Sequence, residues 1–152
     1  MGRARAVIEL PAQVSAAEAL WYDVRRWPSF VDGFAHAAKV EDGWPAVGGR
    51  LVWDSTPHGR GRVIERVTEH SPGAGHATEV EDPRLRGTQE VRFEALQDGT
   101  AIALQLEYRL KDRTPLTPVV DLLFIRRSLR DSLRRTLSRL GRELKADADL
   151  LQ

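Results

Sequence analysis

Residues 89–110 read QEVRFEALQDGTAIALQLEYRL, two alternating runs either side of Asp98-Gly99. A two-residue Asp-Gly loop predicts a tight hairpin, because both residue types tolerate the left-handed backbone angles that such turns use. A loop at 98–99 pairs Gln97 with Thr100, then Phe93 with Leu104, Val91 with Leu106 and Gln89 with Tyr108. Successive strand side chains point to opposite faces. Ile102, Leu104, Leu106, Tyr108 and Leu110 therefore share one face, and Gln105, Glu107 and Arg109 take the other. Both strands agree on which face is apolar. The stretch reads as a wall of antiparallel sheet whose dry side needs a cover.

The same texture extends back to about His36. Short runs are divided by Asp42-Gly43, Gly48-Gly49, His58-Gly59, Ser71-Pro72-Gly73 and Asp82-Pro83, which predicts about six antiparallel strands. Ahead of them, Ala6–Leu10 is expected to form a strand ended by Pro11. Ser15 and Glu18 have the spacing of a capping box, which predicts a helix to about Arg26 with Ala17, Leu20, Trp21 and Val24 inward. Trp27-Pro28 should stop it, since the residue before proline avoids the helical region. PSFVDGF, 28–34, is expected to make a second short helix closed by Gly33. Behind the sheet, Thr117 as N-cap and Pro118 as first residue open a long helix. Its Leu122, Leu129, Leu133, Leu137, Leu140 and Leu144 form one stripe that suits the open face of the sheet.

Composition narrows the function. The 152 residues suit one domain, 1–152, and carry 41% apolar and 30% charged residues with a net charge of +1. Neither nucleic acid nor membrane is favoured by that overall charge. Cysteine is absent, which removes disulfides, thiol nucleophiles and thiolate metal sites. No apolar run approaches the ~20 residues of a membrane span. The N-terminus shows no secretory pattern, so a cytoplasmic protein is expected.

"PAQVSAAEALWYDVRRWPSFVDG" (11–33), "GWPAVGGRLVW" (43–53), "GRGRVIERVTEHSPG" (59–73) and "RRSLRDSLRRTLSRL" (126–140) together resemble the bacterial polyketide cyclase/dehydrase (SRPBCC) branch of the Bet v 1-like, START-like superfamily. The resemblance spans roughly Arg5 to Leu144. It implies an α+β helix-grip fold: a seven-stranded curved antiparallel sheet around a long C-terminal helix, with two short helices after the first strand. It also implies an internal cavity that binds a lipid-, quinone- or polyketide-like molecule. Some members of the superfamily are enzymes and others only bind, and no cofactor is implied.

WDSTPHGRGR, 53–62, brings Asp54, Ser55 and His58 close in sequence. On a strand, Asp54 and Ser55 point to opposite faces and His58 falls in the turn, so the three do not form a hydrolytic triad. Arg-Gly-Arg there lacks the Lys-Ser/Thr of a phosphate loop. The stretch reads as a hairpin corner. Cyclases of the superfamily place an aromatic, a hydroxyl and an Arg at alternate strand positions; Trp53 and Ser55 resemble the first two, and Pro57 takes the third place.

The expected ligand site lies between the sheet and the long helix. Trp53, Ser55, Gln89, Val91, Phe93, Leu104, Leu106, Tyr108, Leu122, Ile125 and Leu129 are its candidate lining. Gln89 and Tyr108 are polar groups on an apolar wall, and with the Ala residues of the first helix they predict a pocket of a few hundred Å3, the size of small-molecule sites. Glu65 is the candidate acid or base. It faces inward if Val63 and Val67 do, and outward if Ile64 is the buried residue; the rarity of buried charge favours the outward phase. The four His residues show no zinc spacing. Residues 126–145 hold eight Arg or Lys against Asp131 and Glu143, which reads as a solvated face or as a contact for an anionic surface. With no aromatics interleaved there, RNA is disfavoured. The sequence sets no oligomeric state.

Overall fold

The computed structural model describes residues 1–112 and 114–152, with the backbone alone at Leu122. Its strands are β1 Gly2–Leu10, β2 Phe34–Val40, β3 Arg50–Ser55, β4 Arg62–Ser71, β5 Gly75–Glu81, β6 Leu85–Leu96 and β7 Gly99–Leu110. They form one antiparallel sheet of seven in the order β1-β7-β6-β5-β4-β3-β2. Helix α1, Val14–Tyr22, a single 3-10 turn at Val24–Arg26 and helix α2, Trp27–Phe30, carry the chain from β1 across to β2. After β7, helix α3 (Thr117–Val120), a π turn (Asp121–Ile125) and helix α4 (Arg126–Leu150) follow one another without a break. This is the expected helix grip.

Small residues let α4 lie close to the sheet. Ala4 and Ala6 are buried on the inner face of β1, and a methyl on Gly141 would press on the Leu10 side chain. Leu133, Leu137, Leu140 and Leu144 are buried, as the stripe predicts; the Leu122 side chain lies outside the described residues. A polar clasp fixes the other side of α4. Asp32, just past α2, accepts from Ser132 Oγ at 2.7 Å, Arg135 Nη2 at 3.0 Å and Arg139 Nη1 at 3.2 Å. Its backbone N–H donates to Thr136 Oγ1 at 3.0 Å.

The hairpin of 89–110 has the expected faces and a different register. Leu96 pairs with Gly99, so Gln97-Asp98 makes the turn; Phe93 then faces Ile102, Val91 faces Leu104, Gln89 faces Leu106 and Gly87 faces Tyr108. The shift is two residues, which leaves Ile102, Leu104, Leu106 and Tyr108 on the buried side. The reason lies on β1. A methyl on Gly99 would collide with the Leu10 carbonyl, so its glycine is needed for close approach of β1 and not for a left-handed turn.

Two helix boundaries also differ. The residue before α1 is Gln13, and no side chain caps it. Glu18 accepts instead from the Gly73 N–H at 2.7 Å, tying α1 to the β4–β5 turn. The break after α1 falls at Asp23, whose carboxylate accepts from the Arg25 N–H and caps the 3-10 turn. Trp27 and Pro28 begin α2 rather than ending α1, with Pro28 in the first turn, where its missing N–H costs nothing. At the far end, Leu116 takes the cap position and Thr117 opens α3.

Candidate functional site

β3, β4 and β5 bring three polar side chains together on the inner face. Leu51 pairs with Glu65 and Trp53 with Val63, while Glu65 pairs with Val80 and Val67 with Thr78. Trp53, Glu65 and Thr78 therefore all point inward from adjacent strands. Trp53 Nε1 donates to one Glu65 oxygen at 2.7 Å and Thr78 Oγ1 to the other at 3.1 Å. Glu65 is 2% exposed. Burial pushes its carboxyl above the usual range, against the Trp53 hydrogen bond, the Arg60 charge and the Thr78 hydrogen bond. Desolvation wins because it acts on the whole charged form. Of the two phases the sequence allows, the inward one holds, with Val63 and Val67 buried beside it. A buried carboxyl is tolerated because both oxygens are paired.

Glu65 faces a void of about 40 Å3 beneath α4. The sheet supplies Trp53, Gln89, Leu104 and Leu106; α4 supplies Leu129, Ser132, Leu133 and Thr136. Arg60 and Asp32 border it too. Arg60 Nε donates to the buried Asp82 at 2.8 Å, while Arg60 Nη2 is buried and, among the described residues, has no hydrogen-bond partner. The void thus has apolar walls, with the Glu65 carboxyl and a spare Arg60 N–H donor among its polar groups and Asp32, Ser132 and Thr136 at its α4 side.

This space is far smaller than the expected few hundred Å3. At about 40 Å3 it exceeds the ~10–15 Å3 that one water needs and falls well below a drug-sized site. Tryptophans account for the difference. Trp21 and Trp27 stand 6.2 Å apart, Trp27 and Trp44 5.9 Å, and Phe34 and Trp53 5.3 Å, as ring centroids. This cluster fills the region that the Ala residues of α1 were expected to leave open.

The predicted lining divides accordingly. Trp53, Gln89, Leu104, Leu106 and Leu129 border the void. Val91 and Phe93 belong to the packed core, and Ile125 packs against it. Ser55 ends β3, and its hydroxyl is buried without a partner away from the void. Leu122 falls outside the described side chains. Tyr108 does not pair with Gln89; its hydroxyl donates to Asp121 in the π turn. Burial and that carboxylate push the phenol up to about 12. Outside Tyr108 is a surface cleft of about 350 Å3, bordered also by Gly2, Leu110, Pro118, Asp121 and Arg126. Arg60, Thr78 and Asp32 were missed, although Thr78 shares the alternation of Val80 and was open to a pairing argument.

Asp54 points away from Ser55, as expected, and pairs with Arg62 at 2.9 Å and His36 at 3.0 Å on the outer face. His58 sits in the corner with φ of 67°. His76 is buried, its Nε2 accepting from Trp21 Nε1 at 3.4 Å, and burial followed by the charge of His70 pushes its pKa down to about 4. Among the described residues no group of three or more His, Asp or Glu is placed to hold a metal ion. Likewise, no described helix is long and apolar enough to cross a membrane.

A gripped helix over a curved sheet, with a polar spot on an apolar inner wall, defines a protein of the Bet v 1-like, START-like class. Solved structures agree on the fold. A START superfamily protein from Mycobacterium smegmatis superposes with a TM-score of 0.67 at 17% identity, covering 100% of both chains. A conserved protein from Geobacillus kaustophilus gives 0.73 at 10% identity with 95% of each chain covered. Ara h 8.0201 gives 0.70 at 10% identity, covering 95% of this chain and 97% of its own. Among curated proteins there is no match. The family model for polyketide cyclase / dehydrase and lipid transport matches residues 1–145. The chain belongs to that family.

Proposed function

We propose that the protein binds a small, mainly apolar or aromatic molecule bearing one polar oxygen, beneath the first turns of α4. The observation that carries this is the Glu65 carboxyl, buried with a raised pKa beside the unpaired Arg60 Nη2. A packed core gains nothing from such groups, whereas a binding pocket uses a few of them to orient a ligand. The ligand oxygen accepts from Arg60 and hydrogen-bonds Glu65; the apolar body lies along Leu104, Leu106 and Leu129. Room comes from movement of the 117–129 segment. The cleft at Tyr108 and the void at Leu106 are neighbours along β7, and α3 has no buried residue to hold it down. Lifting that segment joins the two spaces. A chain free of cysteine is in keeping with such a role in the cytoplasm.

Native mass spectrometry of freshly purified protein tests this, with fluorescence titration of anilinonaphthalene sulfonate as an aromatic probe carrying acceptor oxygens. A bound small molecule, or probe binding weakened by Leu129→Trp, is the expected result. No co-purifying mass, together with probe binding that Leu129→Trp leaves unchanged, rejects the site.

The same carboxyl supports a second reading, a cyclase/dehydrase-type enzyme. A carboxylic acid whose pKa burial raises holds its proton to higher pH than an exposed one and can act as a general acid. In that case Glu65→Gln abolishes turnover while leaving ligand affinity nearly intact. Turnover that survives the substitution excludes Glu65 as the acid.

A further inference from the structure

Apolar residues collect on the outside of the molecule just where α4 begins. Leu116, Val119, Val120, Leu123 and Phe124 are 68%, 55%, 41%, 54% and 66% exposed. Elsewhere the exposed large apolar side chains are scattered or terminal, and these five fall within nine residues. Isolated exposed apolar groups are ordinary, whereas a contiguous set marks a contact surface. The patch does not serve the molecule's own core: among the described side chains of this region, Ile125 and Leu129 are the ones that pack inward.

Charge tells what the patch meets. The basic helix of the sequence is not uniformly free. Arg135 and Arg139 are held by Asp32, and Arg126 lies 3.4 Å from Asp121. Arg127 is exposed, and among the described residues no ion pair engages it. Arg130 and Arg134 share a single acid, Asp131, at 3.7 Å and 4.0 Å. Steps of three and four residues put Leu123, Arg127, Arg130 and Arg134 on one side of the helix. The arrangement is an apolar tip followed by a cationic band.

We propose that this segment docks the protein on an anionic lipid surface. The apolar tip enters the boundary between headgroups and acyl chains, and the arginines behind it reach lipid phosphates while their stems cover apolar surface. Positive charge beside a membrane-facing segment is attracted to anionic lipid over about one Debye length. A second copy of the chain suits the patch less well, because a parallel two-fold contact would set Arg127, Arg130 and Arg134 of both copies against each other and an antiparallel one would leave them out of the interface. Docking faces outward and requires no occupant of the interior, so it stands or falls separately from the ligand reading.

The test is flotation of the full chain with phosphatidylcholine vesicles, with and without phosphatidylglycerol, alongside sedimentation velocity of the protein alone. Binding should require phosphatidylglycerol at about 0.05 M salt and fade by about 0.5 M, where screening is several-fold stronger. Leu123→Ser with Phe124→Ser, and separately Arg127→Glu with Arg134→Glu, should each weaken binding by about tenfold or more. All four residues are exposed, so thermal melts should match the parent, and the charge variant decides if the apolar one folds poorly. No binding to anionic vesicles at low salt overturns the proposal. So does equal binding to neutral vesicles, or a concentration-dependent dimer abolished by Phe124→Ser without vesicle binding.

Discussion

A buried glutamate with both oxygens paired still titrates, and its shift has a definite consequence for stability. The Glu65 pKa is raised above the ordinary 4.5. Its contribution is therefore complete below about pH 4.5 and is lost as pH rises through the folded-state value. Glu65→Gln keeps an oxygen for Trp53 Nε1 and cannot ionise. Urea unfolding of both proteins should give nearly equal stabilities near pH 4, with the variant gaining on the parent as pH rises to 8. A difference independent of pH would mean that the carboxyl is not held above its usual range. Asp32 has the opposite sign. Burial alone would raise its pKa, but the hydrogen bonds from Arg135 and Ser132 and the charges of Arg135 and Arg139 hold it below 3.8. Its contribution is present above that value and disappears as pH falls through the folded one. Asp32→Asn should cost about 2 kcal/mol at pH 7, the scale of a hydrogen bond to a charged group, and progressively less as pH falls below 3.8. The family resemblance put Trp53 on the inner wall, but alternation could not choose a phase for Glu65. Val63 and Val67 on one side and Ile64 on the other gave β4 two apolar faces, and only pairing with β3 and β5 decides between them.

Among the elements, the β6–β7 hairpin shows what a pattern specifies and what it leaves free. Side-chain period is two, so a register shift of two preserves every face, and alternation cannot see it. The turn chemistry of Asp98-Gly99 was the sole local guide, and it yields to contacts from β1 and the turn after it, such as the bond from Thr100 Oγ1 to the Ala12 carbonyl, 88 residues away, at 2.6 Å. Gly99 lies beside the Leu10 carbonyl. Gly99→Ala must then push β1 off β7, and should cost about 2–3 kcal/mol as an overpacked site. Thermal unfolding measures it; a loss below about 0.5 kcal/mol, the range of neutral surface changes, would return the glycine to a turn role. The α1 boundary has a similar lesson. Ser15 and Glu18 met the capping pattern, yet Glu18 is drawn to Gly73 across the fold, since a long-range bond to a turn outcompetes a local one. Where only local rules operate, as in the leucine stripe of α4 and the stop at Pro11, sequence and structure coincide.

For the molecule as a whole, the question is how a nearly filled interior takes a ligand. The seven-strand grip was legible because turn signals, alternation and stripe all point the same way. The volume inside was not, because it depends on how four tryptophans from α1, α2, β3 and the β2–β3 loop converge, and residue types alone do not show convergence. Leu106 is 1% exposed and borders a void of about 40 Å3. Leu106→Trp therefore overpacks the closed state and should cost about 1–3 kcal/mol, where an empty pocket would have accepted it freely.

Opening has one visible latch. Tyr108 OH donates to Asp121, and Arg126 reaches the other Asp121 oxygen at 3.4 Å. The first bond ties the π turn to β7 at the point where the surface cleft meets the void, and the second holds the Asp121 carboxylate in place. Beyond the Tyr108 bond, α3 buries nothing, and among the described side chains of 117–129 the packing against the core comes from Ile125 and Leu129, so few contacts oppose movement of the segment. Tyr108→Phe keeps the ring against Gly2 and deletes the bond. Global stability should fall by only about 1 kcal/mol, the usual net value of a hydrogen bond. Amide exchange across 117–129 should quicken far more than exchange in β6 and β7, and anilinonaphthalene sulfonate should associate faster with the variant than with the parent. Equal acceleration across the whole sheet would instead mark Tyr108 as part of the common core, and the way into the interior would then have to be sought at another edge of α4.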